Sequence, residues 1–180
     1  MRIIGGKFKS RRYSTPKNFP SRPTTDFAKE GLFNILENKI YFDELSVLDL
    51  CAGSGSISFE FLSRGVSKVT AIDQNYNCIR HLNEVTDKLN CKESISIIKG
   101  DIIKFLIKTD ASFDLIFADP PYDYKEHEQI AEIVFDRSLL TDNGMLIIEH
   151  GDKTSLEDRT HFQFMRIYGK VRFSFFYLNE

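Results

Sequence analysis

Residues 114–122 read Asp-Leu-Ile-Phe-Ala-Asp-Pro-Pro-Tyr. Four apolar residues, Leu115 to Ala118, lie between two acids, and two prolines and a tyrosine follow. A short apolar run of this kind reads as an inner strand of a parallel sheet, covered on both faces. Proline lacks the N–H that a sheet ladder needs, so Pro120 and Pro121 end the strand and stiffen the backbone after it. That places Asp119 at the carboxyl end of a strand, where open α/β sheets bind ligands. A strand followed by an ordinary turn fits this stretch equally well, and the rest of the chain has to decide.

On either side, strands and helices alternate. Residues 46–51 (SVLDLC), 68–73 (KVTAID), 94–99 (SISIIK) and 145–150 (MLIIEH) predict four more strands, the last entered by a turn at Asn143-Gly144. Helices are predicted over 54–65, 75–90, 102–108 and 125–137. In the second of these, Cys78, Ile79, Leu82, Val85 and Leu89 recur at helical spacing. An earlier helix should start near Thr25, a capping residue, with Asp26 at its positive end and Ala28, Leu32, Ile35 and Leu36 on one face. Residues 161–178 alternate about Tyr168-Gly169-Lys170 and predict an antiparallel hairpin at the sheet edge. Five β-α units and a terminal hairpin make a doubly wound α/β sheet.

A chain of 180 residues suits one domain with a small appendage. The composition, 42% hydrophobic and 28% charged, is that of a globular protein, with no apolar stretch of membrane-spanning length and no signal peptide at its start. Cys51, Cys78 and Cys91 form no CxxC pair, and the four histidines are scattered. No metal and no disulfide framework is expected, and the cytoplasm is the expected location. Charge is unevenly spread. Arg2, Lys7, Lys9, Arg11, Arg12, Lys17 and Arg22 all precede Asp26, the first acid. A basic arm on an acidic body points to a polyanion, and the interleaved Phe8, Tyr13 and Phe19 suit nucleic acid. Within the arm, two extended pieces (1–6 and 7–15) are expected about Gly5-Gly6, then a proline-rich loop over 16–23. The division is a basic N-terminal β extension, 1–23, and a main domain, 24–180.

The first strand runs into Asp49-Leu-Cys51-Ala52-Gly53-Ser-Gly55-Ser. Gly53 and Gly55 let backbone approach a ligand at the opening of a helix. A dinucleotide fingerprint would need a third glycine where Ser58 stands, and no Gly-Lys-Ser/Thr follows for a phosphate loop. Asp73 ends the second strand and can accept from both hydroxyls of a ribose. Asp101 follows the third strand, placed for an exocyclic amine, with Ile102 placed for a purine face. Adenosine without a phosphate to anchor indicates S-adenosylmethionine.

"DLCAGSG", "AID", "GDI" and "DPPY" match, in order and spacing, the class I S-adenosylmethionine-dependent methyltransferases. "MRIIGGKFKSRR" followed by "RPTTDFAKEGLFNIL" resembles the RsmD family in particular. The resemblance runs from Met1 to about His150. It implies a Rossmann-like, mostly parallel seven-stranded sheet and methylation of the N2 amine of a guanine in 16S ribosomal RNA, in a partly assembled small subunit, by a monomer. It also implies a cofactor site at Asp49, Cys51, Ala52, Gly53, Gly55, Asp73, Asp101 and Ile102. Asp119, the Pro120 carbonyl and Tyr122 carry the chemistry: the two acceptors hold the N–H groups of the target amine, and the ring stacks on its base. Pro121, Arg2, Lys7, Lys9, Arg11, Arg12 and Arg22 are candidates for holding the RNA. Phe27 stands where many relatives carry an arginine, so it is assigned no RNA contact. The tail keeps a Tyr168-Gly169 pair but departs from the commoner threonine-containing ending. Alternatives are an amino-methyltransferase for DNA adenine or protein glutamine, and a non-catalytic RNA-binding assembly factor.

Overall fold

The computed structural model describes residues 1–16, 19–20, 24–121, 124 and 126–178. Tyr122, Arg22 and Lys17 lie outside the described residues. The strands are β1 (Ser46–Leu50), β2 (Lys68–Asp73), β3 (Ile95–Lys99), β4 (Phe113–Ala118), β5 (Leu140–His150), β6 (Phe162–Tyr168) and β7 (Val171–Phe176). They form one seven-stranded sheet in the order β3-β2-β1-β4-β5-β7-β6. The first five strands pair in parallel, and β7 runs antiparallel to both β5 and β6. Consequently β6 points the same way as β5, and its last residue, Tyr168, lies on the edge where β4 and β5 end.

The helices are α1 (Asp26–Glu37), α2 (Ser56–Ser63), α3 (Tyr76–Leu89), α4 (Ile102–Lys108) and α5 (His127–Asp136). Strand side chains alternate between faces, so each strand feeds two cores. Val47, Leu115, Phe117 and Ile147 pack with α1, α2 and α3. Leu48, Leu50, Ile116 and Ile148 pack with α4 and α5. The strand order reverses between β1 and β4, which opens the crevice of a doubly wound sheet at that point.

Three expectations change. In α1 the buried face is Ala28, Lys29, Leu32, Phe33 and Leu36, and Ile35 is only half-buried. β5 begins at Leu140 rather than after Asn143-Gly144. Phe113 pairs with Leu140 and Leu115 with Met145, so residues 141–144 form an irregularity opposite Asp114. The Asp114 carboxylate holds it, accepting from Ser46 N (2.8 Å), Ser46 Oγ (2.9 Å) and Thr141 Oγ1 (2.9 Å). At the N-terminus the extended pieces pair about an Arg2–Arg12 bridge, with Ile3 N donating to Arg11 O and Tyr13 N to Met1 O (both 3.0 Å), and the turn between them is a 3-10 turn over Gly6–Phe8 rather than one confined to Gly5-Gly6. Gly6 has φ 68°, and a Cβ there would collide with the Ser63 carbonyl. This glycine permits close approach to α2.

That approach has a polar centre. Glu60 is fully buried, and its carboxylate accepts from Ile4 N (2.9 Å), Gly5 N (2.8 Å) and Arg64 Nε (3.0 Å). Lys29 Nζ, also buried, lies 3.7 Å from Glu60 and donates to Arg2 O (2.5 Å) and Ser56 Oγ (3.0 Å). Burial pushes the Lys29 ammonium down from its ordinary range, and the Glu60 charge opposes that shift. Ile3, 1% exposed, fills the core beside them. Removing one partner of a buried pair strands the other charge. Glu60→Gln should therefore cost roughly 3–5 kcal/mol by urea unfolding, with faster hydrogen exchange at the Ile4 and Gly5 amides. Wild-type exchange there would show that the carboxylate does not hold the hairpin.

Candidate functional site

Parity places the acids of the strand ends. Asp49 shares the face of Val47, Asp119 that of Leu115 and Phe117, and Glu149 that of Met145 and Ile147, the face covered by α1 and α2. Register brings them together. Ala118 pairs with Ile148, which sets Asp119 beside Glu149, and Asp49 pairs with Phe117. Asp119 N donates to Leu50 O at 3.2 Å, which extends the ladder one residue beyond β4. A cavity of about 40 Å³ lies here, with Asp49, Asp119, Cys51, Ser56 and Thr24 in its wall. Thr24, just ahead of α1, donates to Glu149 Oε2 at 2.9 Å. Ser58, in place of a third glycine, donates its hydroxyl to Asp49.

The turn after β1 is tightly bent. Cys51, Gly53 and Gly55 have φ of 63°, 54° and 75°. A side chain at Gly55 would strike Phe59 and Leu82, so only glycine fits where α2 begins. Asp73 fastens the turn across the sheet: Oδ2 accepts from Gly53 N (2.8 Å) and Oδ1 from Asn75 N (2.7 Å). Each oxygen keeps a lone pair for a further donor, as a ribose diol would require. Asp101 is exposed and caps α4 through Oδ1 to Lys104 N at 2.9 Å. Ile102, 6% exposed, packs into the core beneath α4. Pro120 is buried and Pro121 exposed.

The electrostatics are one-sided. Burial raises the Asp49 carboxyl to about 7, with the Asp73 charge adding to the shift and the Ser58 hydrogen bonds opposing it. Asp119 is raised well above the usual carboxylate range by burial, then by the charges of Glu149 and Asp49. Glu149 is raised by burial, against the Thr24 hydrogen bond. The Cys51 thiol is pushed up by burial and then by Asp119, Asp73, Asp49 and Asp101, so four carboxylates surround it. Such an edge suits a ligand that carries positive charge and a diol, a description that S-adenosylmethionine meets.

The hairpin at the N-terminus exposes Arg2, Lys7, Lys9, Arg11 and Arg12. Arg2 pairs with Asp26 at 2.8 Å, and Lys7 and Arg11 lie over the Phe8 ring at 5.1 and 5.4 Å. The sequence reading missed Thr24 and Glu149. Glu149 had a signal, an acid closing the apolar run of residues 145–148 as Asp119 closes 115–118. Thr24 had none.

The family described as "Conserved hypothetical protein 95" matches residues 1–177. The chain belongs to that family. A curated relative from Haemophilus influenzae, "Ribosomal RNA small subunit methyltransferase D", is 33% identical over 152 residues, 83% of this chain and 78% of its own. A solved Escherichia coli structure, yhhF, described as a candidate methyltransferase, superposes with a TM-score of 0.84 at 25% identity, covering 98% of this chain and 96% of its own. The fold also matches a precorrin-6y C5,15-methyltransferase from Geobacter metallireducens at TM-score 0.69 and 16% identity, covering 93% of this chain and 94% of its own. The RsmD resemblance and the class I methyltransferase fold are both borne out.

Raised carboxyl pKa values have a stability consequence. Between the unfolded value, about 4, and the folded one, the native state holds more protons than the unfolded state. Stability is therefore full below the lower value and is lost as pH rises to the upper one. Buried His81, His127 and His150, whose rings burial holds below their ordinary range, pull the other way, so the effect is read by difference: the melting temperature of Asp49→Asn should gain on that of the parent chain as pH rises from 5 to 8. A difference that stays constant over this range would refute the assignment.

Proposed function

We propose that the protein transfers a methyl group from S-adenosylmethionine to the exocyclic N2 amine of a guanine in 16S ribosomal RNA, acting as a monomer in the cytoplasm on a partly assembled small subunit. The observation that carries this reading is the Asp119 carboxylate ahead of buried Pro120, beside Glu149 and across from the glycine turn. The printed name of the H. influenzae relative supports the choice of RNA. S-adenosylmethionine supplies, when bound, an electrophilic methyl carbon on a sulfonium. Asp73 holds the ribose, the turn from Cys51 to Gly55 lines the methionine part, and Asp101 and Ile102 meet the adenine. Asp49, Asp119 and Glu149 form a negative cluster that favours the ligand's cations.

The guanine amine is a weak nucleophile, because its lone pair is delocalised into the ring. Asp119 and the Pro120 carbonyl accept its two N–H groups and so turn the lone pair towards the methyl carbon. Prolines fix both acceptors in advance, so little reorganisation is needed at reaction. Nitrogen would gain the methyl as the carbon's bond to the sulfonium sulfur breaks, leaving a neutral thioether, and would then give one of its protons to the Asp119 carboxylate. Tyr122 follows in sequence, and its ring is the candidate for stacking on the target base. Pro121 is the exposed edge of the same loop. Arg22 and the five exposed cations of the N-terminal hairpin engage RNA phosphates.

The test is methyl transfer to small subunits from a strain that lacks the activity, with the modified nucleotide mapped. Asp119→Ala should lower turnover at least ~100-fold while leaving cofactor affinity by calorimetry nearly unchanged. Asp73→Ala should weaken that affinity by ~1–3 kcal/mol. Near wild-type turnover in the first variant would remove Asp119 from the chemistry.

Cation engagement is read from salt dependence. Alanine at Lys7, Lys9, Arg11 and Arg12 together should flatten the slope of log K against log salt by about 0.7–0.9 for each phosphate that is no longer neutralised. An unchanged slope would mean that the hairpin charges do not neutralise phosphates.

A further inference from the structure

A second cavity lies elsewhere. A groove of about 550 Å³ follows the outer flank of α1 and is bounded by Tyr168 at the end of β6. That volume falls in the range of small-molecule sites. Phe27, 68% exposed, meets Tyr168 edge to face with ring centroids 5.6 Å apart. Gly31 makes room for the Tyr168 ring, since a Cβ there would overlap it. Further along are the exposed side chains of Asn34 and Lys39.

The groove's position relates it to the acids. Tyr168 lies on the same sheet edge as Asp119, because β6 points the same way as β4. Three strand spacings separate β4 from β6, roughly 14 Å at ~4.8 Å each. Phe27 is three residues beyond Thr24, which lines the acidic cavity. A few nucleotides of single strand would reach from one place to the other.

The charge around the groove fits the same occupant. Lys39 and Arg166 both lie over the Phe164 ring, at 5.2 and 4.7 Å, and Lys170 is exposed in the turn after Tyr168. The groove wall itself holds one cation, Lys39, and one acid, Glu30, and the other two cations flank it. An exposed Phe27 face beside the half-buried Tyr168 ring, an amide able to bond a base edge, and flanking cations are what an unpaired nucleotide needs. A segment of apolar protein would leave the amide and the cations unused.

We propose that this groove is a second base-binding subsite, in which an unpaired nucleotide flanking the target guanine stacks on the Phe27–Tyr168 pair. The proposal rests on the RNA-methylating reading and adds a substrate contact to it. Phe27 offers a ring face, and the C-terminal hairpin gains a role through Tyr168.

The chain contains no tryptophan, so Phe27→Trp creates a single fluorescent reporter in the groove. Titrating this variant with a short single-stranded oligoadenylate should quench its emission to saturation. Adding Tyr168→Leu should weaken that binding roughly tenfold, the size of one base–ring stacking interaction, with melting curves showing that both proteins are folded. In the parent chain, Tyr168→Leu should raise the KM for small subunits and leave kcat within about twofold. Absence of quenching by oligoadenylate, or quenching by ribosomal proteins freed of RNA and not by oligoadenylate, overturns the proposal. The two readings fail separately. Quenching without any methyl transfer by the parent chain defeats the methyltransferase reading and upholds the RNA groove. Methyl transfer without quenching defeats the groove alone.

Discussion

The buried Glu60 carboxylate is the joint on which the N-terminal third of the structure depends. It binds the amides of Ile4 and Gly5 and the guanidinium of Arg64, with the Lys29 ammonium nearby. Three segments far apart in sequence, the basic hairpin, α1 and α2, are thereby fixed to one another. Lys29 passes the constraint on to Ser56, the first residue of α2, whose side chain lines the acidic cavity. A buried ion pair adds little net stability over an apolar substitute, but it penalises any arrangement in which one partner is missing. The hairpin is thus held as part of the domain while its cations stay in solvent.

A second constraint comes from the sheet. Parallel strands that end together present their last residues along one edge, and the two-residue period decides the face. Asp49, Asp119 and Glu149 share both edge and face, and burial, then the charge of neighbouring carboxylates, holds their carboxyls above the ordinary range. The fold tolerates this because Ser58 and Thr24 each donate a hydrogen bond into the cluster. A cationic ligand would relieve the repulsion, so the site's electrostatic strain and its affinity have one origin.

The antiparallel hairpin extends the same edge. Because β7 is inserted between β5 and β6, Tyr168 emerges beside α1 on the side of the sheet where the acids lie. Had β6 followed β5 directly as its antiparallel neighbour, Tyr168 would lie at the opposite edge. The crossover therefore decides whether the Phe27–Tyr168 pair can face a substrate.

The sequence alone determined the elements and the polarity of the site. Strand and helix periods are local, and so are the breaks imposed by Pro120, Pro121 and the glycine turn. Asp73, Asp101 and Asp119 could be placed at strand ends for that reason. What only the tertiary structure decided are the pairings between distant segments: Thr24 with Glu149, Lys29 with Glu60, Phe27 with Tyr168. The face expected for α1 omitted Lys29, because its partner, Glu60, lies on another helix. The irregularity opposite Asp114 moved the start of β5 ahead of Asn143-Gly144, because a carboxylate bonded to Ser46 and Thr141 outweighed the local turn preference. Such contacts are set by strand register and by the close packing of helices on the sheet, and neither leaves a periodic trace along the chain.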